Sequence, residues 1–297
     1  MAEHILKYLM LAACVGLLLQ TIRYRRLIIA WTVSAGAIWQ SVAACVVGIS
    51  VASSLPMFEP GPGWSGTLQY LVAILLLTPS ICTLGARKPR VATWQAFVVV
   101  PMILVLLWPV FTQAVSTSGR TPVELSNPQL CGFLLAALMG IGPTFGTAAT
   151  PAALLRLTAV TLALIPLRSN APWAGTAADF VPLVLLLEIT LQHGIIVAII
   201  RRIHESETLH DGTREIWFLF QTLYGTVWPR RIMERMSQFE RAEKWTVTLR
   251  EYGFESLPHY GDPEIAPKDS DLQQPIGTLR WLLGRFVSAE WLGIYFP

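Results

Sequence analysis

The stretch that decides the fold is residues 180–202, FVPLVLLLEITLQHGIIVAIIRR, in which a long apolar run ends at two arginines. A helix of about 20 apolar residues, rising 1.5 Å per residue, crosses the roughly 30 Å hydrocarbon core of a bilayer. Six further apolar stretches precede this one, and a polar segment follows it. The pattern predicts an all-α integral membrane protein, a polytopic bundle of about seven transmembrane helices with a mostly helical C-terminal cytoplasmic tail.

The predicted bundle occupies residues 1–202, and the tail occupies residues 203–297. The seven spans cover about 5–22, 27–51, 66–84, 94–116, 129–146, 150–168 and 180–200. The fifth and sixth spans are among the shortest, and the uncharged sequence GIGPTFG at 140–146 precedes the point where they meet. A tight helical hairpin is the first interpretation of this region. A re-entrant segment, which bilayers tolerate when protein shields it, is the alternative.

Composition separates two environments within the chain. The chain is 53% hydrophobic and 14% charged, whereas soluble domains are about 25% charged. The net charge of +3 is too small to predict nucleic-acid binding.

The four cysteines occupy different apolar stretches without metal-ligand spacing, so we expect buried, unpaired side chains. The first apolar stretch is predicted to be a retained span, because its basic cluster follows it instead of preceding it as in a signal peptide.

Clusters of basic residues occur in every second predicted connection. Clusters of arginine and lysine lie within 23–26 and 87–90, and the seventh span ends at 201–202. The second, fourth and sixth connections have no such cluster. Because basic connections remain in the cytoplasm, the N-terminus is predicted outside and the C-terminus in the cytoplasm. In a bacterial cell the membrane would be the inner membrane.

The tail is predicted to contain three helices and a short strand. Asp211 or Thr213 could cap the first helix. The helices cover about 214–228, 229–243 and 276–289, the strand covers 245–250, and a Pro- and Gly-rich linker covers about 256–275. Wide aromatic faces favour a tail docked on the membrane surface or on the bundle. A small cytosolic domain with its own core is the alternative.

Four polar residues form a candidate intramembrane site. Glu188 lies well inside the seventh span, with Gln192 one turn beyond it and His193 beside Gln192. Arg156 lies in the sixth span, from which it could reach these side chains. A carboxylate beside an imidazole can exchange a proton, which would suit a substrate or proton site. A structural clamp between two helices, or an arginine that extends to the headgroups, is the alternative.

The sequence predicts no metal site, no cofactor and no catalytic residue. His204, Glu207 and Asp211 would share a face if they lay on one helix, but no tight ligand spacing accompanies them, so a solvated face is expected. The phosphate-binding loop GxxxxGK[ST] and the dinucleotide fingerprint GxGxxG do not occur in the sequence. An ATP-driven pump is therefore unsupported.

Three classes of function remain open. The first is a non-enzymatic multi-pass protein whose partners are the lipid bilayer and, through the tail, a cytosolic protein or the membrane surface. The second is a carrier or flippase for an apolar or lipidic substrate that uses Arg156, Glu188 and His193. The third is a lipid-modifying membrane enzyme with Glu188 and His193 as acid–base groups. The sequence favours a non-enzymatic protein and does not indicate an oligomeric state.

Overall fold

The computed structural model describes residues 2–55, 64–85, 92–117, 125–168, 173–257 and 268–296. Its N-terminal part is a bundle of helices. They are α1 (Ala2–Leu27), α2 (Ser34–Ser53), α3 (Trp64–Leu84), α4 (Ala92–Thr117), α5 (Asn127–Ile141), α6 (Thr150–Leu164), α7 (Trp173–Asp179) and α8 (Val181–Glu205). Single turns of 3₁₀-helix follow α5 at Gly142–Thr144 and α6 at Ile165–Leu167. The described part of the chain is all-α apart from one short β-hairpin.

Five helices within the described residues are long and apolar enough to cross a membrane. They are Ile5–Leu27, Ser34–Ser53, Gly66–Leu84, Thr150–Leu167 and Thr176–Glu205. Large apolar side chains cover their outer surfaces, as at Leu9, Ile49 and Leu187, each more than half exposed. Soluble monomers rarely expose contiguous apolar patches above a few hundred Å². The surface therefore suits a bilayer, and the prediction of an all-α fold with several helices able to span a membrane is confirmed.

The two remaining predicted spans, α4 and α5, are not among those five. Helix α4 has 26 residues and no charged residue, and the apolar stretch among its described side chains covers Phe97–Thr112. The fifteen residues of α5 reach about 22 Å, to which the following 3₁₀ turn adds about 6 Å. Leu125 N–H, just before α5, donates to Leu167 O in the 3₁₀ turn after α6 over 3.0 Å. This bond places α5 and α6 antiparallel, which favours the hairpin interpretation.

The first two predicted spans have different boundaries in the structure. Helix α1 continues past its basic cluster to Leu27, and α2 begins at Ser34 instead of residue 27. The backbone between them bonds to residues far along the chain. Thr32 N–H donates to Phe286 O over 2.8 Å, and Ser288 N–H donates to Ala30 O over 2.9 Å. Partners outside the bundle therefore stop the helix here, which local sequence cannot reveal.

Proline is accommodated inside α3. Pro79 has no N–H to donate to the carbonyl of Leu75. The hydroxyl of Thr78 donates to this carbonyl instead, over 2.6 Å. The backbone oxygen thus keeps a partner, as a helix in hydrocarbon requires.

All four cysteines are free, but the expected burial holds for two of them. Cys14 and Cys82 are buried, whereas Cys45 and Cys131 are exposed on the helix surface. The prediction was wrong for the second pair, because an apolar stretch presents one face to its neighbours and another to its surroundings.

The C-terminal segment, residues 203–297, forms four helices and a hairpin among its described residues. They are α9 (Leu209–Tyr224), α10 (Val227–Glu243), β1 (Val247–Arg250), β2 (Gly253–Ser256), α11 (Asp269–Leu283) and α12 (Ala289–Tyr295). The strands pair antiparallel, with Val247 opposite Ser256 and Arg250 opposite Gly253. The predicted strand at 245–250 thus coincides with β1, while its partner β2 was not predicted.

Three predictions for this segment were wrong in detail. Thr208 caps α9 by accepting the N–H of Asp211, so neither Asp211 nor Thr213 is the cap. Helix α9 ends at Tyr224, since Gly225 follows with φ +68°. The last predicted helix, at about 276–289, overlaps α11, which begins at Asp269 and ends at Leu283, and α12 was not predicted. Helix α11 begins within the predicted linker because Leu272 and Pro275 are buried against the core; residues 258–267 of that linker lie outside the described residues.

Helix α9 is the centre of the C-terminal segment. Trp217, Phe220 and Leu219 on this helix are fully buried. The indole N–H of Trp217 donates to Arg250 O over 3.0 Å, and the side-chain amide of Gln221 donates to Glu251 O over 2.7 Å. These bonds fix the hairpin against α9. The buried side chains of α9 belong to one hydrophobic cluster that continues into the bundle.

The same segment packs on one end of the bundle, here called the near end. Tyr224 OH lies 2.6 Å from Thr32 Oγ1 and donates to Phe286 O over 2.9 Å. Trp228 Nε1–H donates to Thr83 O at the end of α3 over 3.1 Å. Thr226 N–H donates to Pro143 O in the α5–α6 connection over 2.7 Å. The segment thus contacts the α1–α2 connection, the end of α3 and the α5–α6 connection.

Candidate functional site

An ion pair joins α6 and α8 inside the bundle. Arg156 Nη2 lies 2.6 Å from Glu188 Oε1, and the two side chains are 11% and 2% exposed. A lone charge near mid-membrane costs about 2.5–3.5 kcal/mol on insertion scales. Each residue therefore supplies the counter-charge that the other needs, and removing one would leave an uncompensated buried charge.

Two side chains from other helices complete the polar cluster. Gln40 on α2 donates its side-chain amide to Glu188 Oε2 over 3.3 Å. Arg156 Nη1 donates to Ser80 Oγ on α3 over 3.2 Å. Both oxygens of the carboxylate thus accept a hydrogen bond. The cluster of Gln40, Ser80, Arg156 and Glu188, called the polar core below, connects four helices.

Small cavities lie on both sides of the ion pair. One cavity lies toward the end of the bundle opposite the near end, here called the far end. It has a volume of about 10 Å³ and is lined by Gln40, Ala43, Leu185 and the pair itself. The cavity toward the near end has a volume of about 30 Å³. It is lined by the ion pair and by Ser80, Thr144, Ala149, Ala153 and Gln192. Since a water requires about 10–15 Å³, these spaces accept one or two water-sized particles.

The sizes of these cavities bear on the chemistry of the site. Binding pockets for drug-sized ligands measure roughly 300–1,000 Å³. The cavities beside the ion pair, of about 10 and 30 Å³, are far smaller. In this conformation the polar core therefore suits water or a small ion and has no room for a lipid chain.

The structure brings three of the four predicted site residues together. Arg156 and Glu188 form the ion pair, and Gln192 lines the same near-end cavity. His193 faces elsewhere: Nδ1 of its ring is buried and has no hydrogen-bond partner among the described residues. No hydrogen bond or ion pair links His193 to Arg156 or Glu188 in that part of the chain. One residue along α8 turns the side chain by about 100°, which separates it from Gln192.

Sequence reasoning missed Gln40 and Ser80. Gln40 interrupts an apolar stretch and is 7% exposed, so a buried amide inside a span was the available signal. Ser80 gave no comparable signal, because small hydroxyl residues are common in helix packing. The partners of both residues lie on helices far away in sequence.

The candidate metal residues do not form a site. Helix α8 ends at Glu205 and α9 begins at Leu209, so His204 and Asp211 lie on different helices. His204 Nδ1 lies 2.8 Å from Ile200 O, and its ring contacts Tyr295 edge-on. No group of three His, Cys, Asp or Glu side chains within the described ranges could hold a metal ion.

The C-terminal segment contacts the loop that forms one wall of the near-end cavity. Thr144 and Ala149 line this cavity, and Pro143 beside Thr144 accepts both the N–H and the hydroxyl of Thr226, over 2.7 and 3.1 Å. Gly225 approaches so closely that a Cβ there would lie 2.5 Å from Pro143 O. The α5–α6 connection is therefore a direct physical link between the C-terminal segment and the polar core.

The third connection, with its basic cluster at 87–90, lies outside the described residues. The described part of the chain nevertheless defines one buried ion pair with its neighbouring cavities and one joint with the C-terminal segment. Comparisons of the chain with protein-family models, curated proteins and solved structures find no match.

Proposed function

We propose that this chain is a non-enzymatic multi-pass membrane protein with seven spans, its N-terminus outside and its C-terminal segment in the cytoplasm. The basic cluster at the end of α1 and the basic end of α8 lie toward the near end, where the C-terminal segment packs. The α1–α2 connection, the end of α3 and the α5–α6 connection all contact this segment. Contacts at alternate connections support an up-and-down path through α1–α6 and α8.

We further propose that the C-terminal segment is a docking domain for a cytosolic protein. One face of the segment packs on the bundle, while α10 and the β-hairpin leave a groove of about 520 Å³ between them. The groove is lined by Arg230, Glu234, Arg250, Glu251 and Tyr252, and Tyr252 is 70% exposed. This open groove with charges of both signs is the observation that carries the proposal.

The other two classes have weaker support. A carrier for a lipidic substrate would need a larger space than the cavities beside Arg156 and Glu188 provide. A lipid-modifying enzyme of the predicted type needs Glu188 and His193 to act together, whereas Glu188 bonds to Arg156 and Gln40. A non-enzymatic role therefore agrees best with the geometry.

The docking proposal can be tested by photocrosslinking of the full-length protein in its native membrane. A photoreactive amino acid at position 252 should produce one discrete adduct with a cytosolic protein. The charge reversals Glu234→Lys and Glu251→Lys should remove that adduct, because they invert the charge along the groove. Position 273, exposed on α11, is the control and should give no such product. Identical products from both positions, or an adduct that survives the charge reversals, would contradict a docking role for the groove.

A further inference from the structure

Three cavities lie in sequence along the interface of α2, α3, α6 and α8. The first, about 60 Å³, is at the far end and is lined by Val47, Val51, Val72 and Val181. The second begins one turn further along each helix, at Ala44, Leu76 and Leu185, and reaches the ion pair. The third continues from the ion pair to Gln192 and the α5–α6 connection. The cavities form an interrupted path through the bundle.

The Arg156–Glu188 pair separates the second cavity from the third, since both residues line both spaces. A guanidinium group has five N–H donors, and the hydrogen bonds to Ser80 and Glu188 engage two of them. Donors therefore remain for a small acceptor that enters either cavity. A fixed guanidinium attracts anions and repels cations, as arginine does in selective pores.

Charge balance determines what must accompany an anion that binds to Arg156. The ion pair is neutral overall, and a net charge in this buried position is costly. An anion on Arg156 would add one negative charge unless Glu188 took up one proton. In that exchange Glu188 gains a proton, Arg156 loses its hydrogen bond to the carboxylate, and the guanidinium bonds to the anion. The site contains zero net charge before and after.

We propose that the polar core binds one small monovalent inorganic anion together with one proton and carries both along this path. Chloride is the appropriate probe, because the space beside the pair admits particles near the size of water and excludes organic anions such as gluconate. The exchange connects the second cavity with the third, because it breaks the hydrogen bond between Arg156 and Glu188. This activity lies beyond the proposed docking function and does not depend on it.

The groups that face Glu188 are consistent with one-proton coupling. Arg156 on α6 and Tyr24 on α1 interact electrostatically with the pair. Helix α2 contributes the uncharged amide of Gln40 and α3 the hydroxyl of Ser80. Further titratable side chains on these packed helices include the thiols Cys14, Cys45 and Cys82, Tyr70 and His193. The ends of the helices add Lys7, Tyr8, Arg23, Arg25 and Arg26 on α1 and Arg201, Arg202, His204 and Glu205 on α8, of which Arg23 acts electrostatically on His193. None of these groups has a hydrogen bond or ion pair to Glu188 among the described residues. The carboxyl group is therefore the proton acceptor of the exchange.

The first test uses the full-length protein in liposomes with a pH-sensitive dye in the lumen. Potassium and valinomycin hold the membrane potential at zero, so that protons move through coupling and not in response to voltage. An inward chloride gradient should acidify the lumen of wild-type liposomes above the protein-free rate, while a gluconate gradient should not. Absence of chloride-driven acidification in the wild type overturns the inference.

The double variant Arg156→Gln with Glu188→Gln is the matched loss-of-function form. It keeps polar side chains at both positions and leaves no unpaired charge, so we expect it to fold. Its acidification rate should equal that of protein-free liposomes. Arg168→Gln removes an exposed charge at the far end of α6 and should retain the wild-type rate. Wild-type acidification by the double variant would contradict the assignment of the site.

A stability measurement provides a second, independent readout. Glu188→Gln leaves Arg156 without its counter-ion, so chloride should raise the unfolding temperature of this variant relative to gluconate at neutral pH. The double variant should not respond. In the wild type, one proton per anion makes the apparent chloride affinity fall about tenfold per pH unit where Glu188 is ionised. A chloride-insensitive Glu188→Gln, or a pH-independent wild-type affinity, overturns the coupled mechanism.

Discussion

At the residue scale, Tyr224 is the side chain on which the joint between the two parts of the chain depends. Its ring is 1% exposed, and its hydroxyl bonds to Thr32 on the bundle and to Phe286 in the C-terminal segment. Burial raises the pKa of the Tyr224 phenol above its ordinary value of 10.0, because the anion would lose its hydration. The neutral phenol therefore stabilises the folded chain.

Replacement of Tyr224 by phenylalanine should lower the free energy of unfolding by about 1–2 kcal/mol at neutral pH, because two hydrogen bonds are lost. The folded chain holds the phenol proton more tightly than the unfolded chain, so this contribution is complete below about pH 10 and decreases above it. Thermal unfolding of both forms between pH 7 and 11 measures the difference. Tyr252→Phe, at an exposed ring, should change nothing, and a pH-independent Tyr224 effect would contradict the account.

The polar core was partly predictable from single residues. Glu188 and Arg156 stand out because each is a charge inside an apolar run, and the need to pair such charges brings them together. The position of His193 was not predictable, since the faces of α8 are assigned by packing against α1 and α6 and not by sequence spacing alone. Gln40 and Ser80 come from helices whose neighbours are fixed by the tertiary fold.

At the element scale, the joint between α9 and α10 rests on Gly225. This residue has φ +68°, and a Cβ there would lie 2.5 Å from Pro143 O. Two effects thus oppose any larger residue: a backbone conformation that favours glycine and a clash with the α5–α6 connection. The joint is therefore sensitive to a single methyl group.

Gly225→Ala should destabilise the docking of the C-terminal segment by about 1–3 kcal/mol. Hydrogen exchange of the full-length protein should then be faster in α9, α10 and the 142–149 connection. Gly277→Ala is the matched control, because Gly277 lies inside helix α11 with no atom near its Cβ position. It should stabilise α11 by about 0.5–1 kcal/mol. Equal hydrogen-exchange rates in the wild type and in Gly225→Ala would contradict the close contact between Gly225 and Pro143.

The elements were predictable where the local pattern is strong. Apolar length identified the long helices, and alternation identified β1 (Val247–Arg250). The break at 28–33 depends on bonds to Phe286 and Ser288, more than 250 residues away, so no local signal announces it. The start of α11 was mistaken for a linker because Pro275 suggests a loop, whereas burial of Leu272 and Ile276 favours the helix.

At the scale of the whole molecule, the proposed function requires the bundle to cross the membrane with its basic connections and C-terminal segment on the cytoplasmic side. Five apolar helices are long enough to cross, and the C-terminal segment contacts alternate connections. The seven-span arrangement extends this pattern through α4 and α5. It places the second and fourth connections outside and the third and fifth inside.

Accessibility of single cysteines in intact cells tests this arrangement most directly. The four native cysteines are replaced by alanine, and one cysteine is introduced at position 62, 88, 120 or 147 of the full-length chain. A membrane-impermeant maleimide should label positions 62 and 120 in intact cells, and positions 88 and 147 after permeabilisation. Labelling of positions 62 and 88 from the same side of the membrane would contradict the proposed orientation and the path through the bundle.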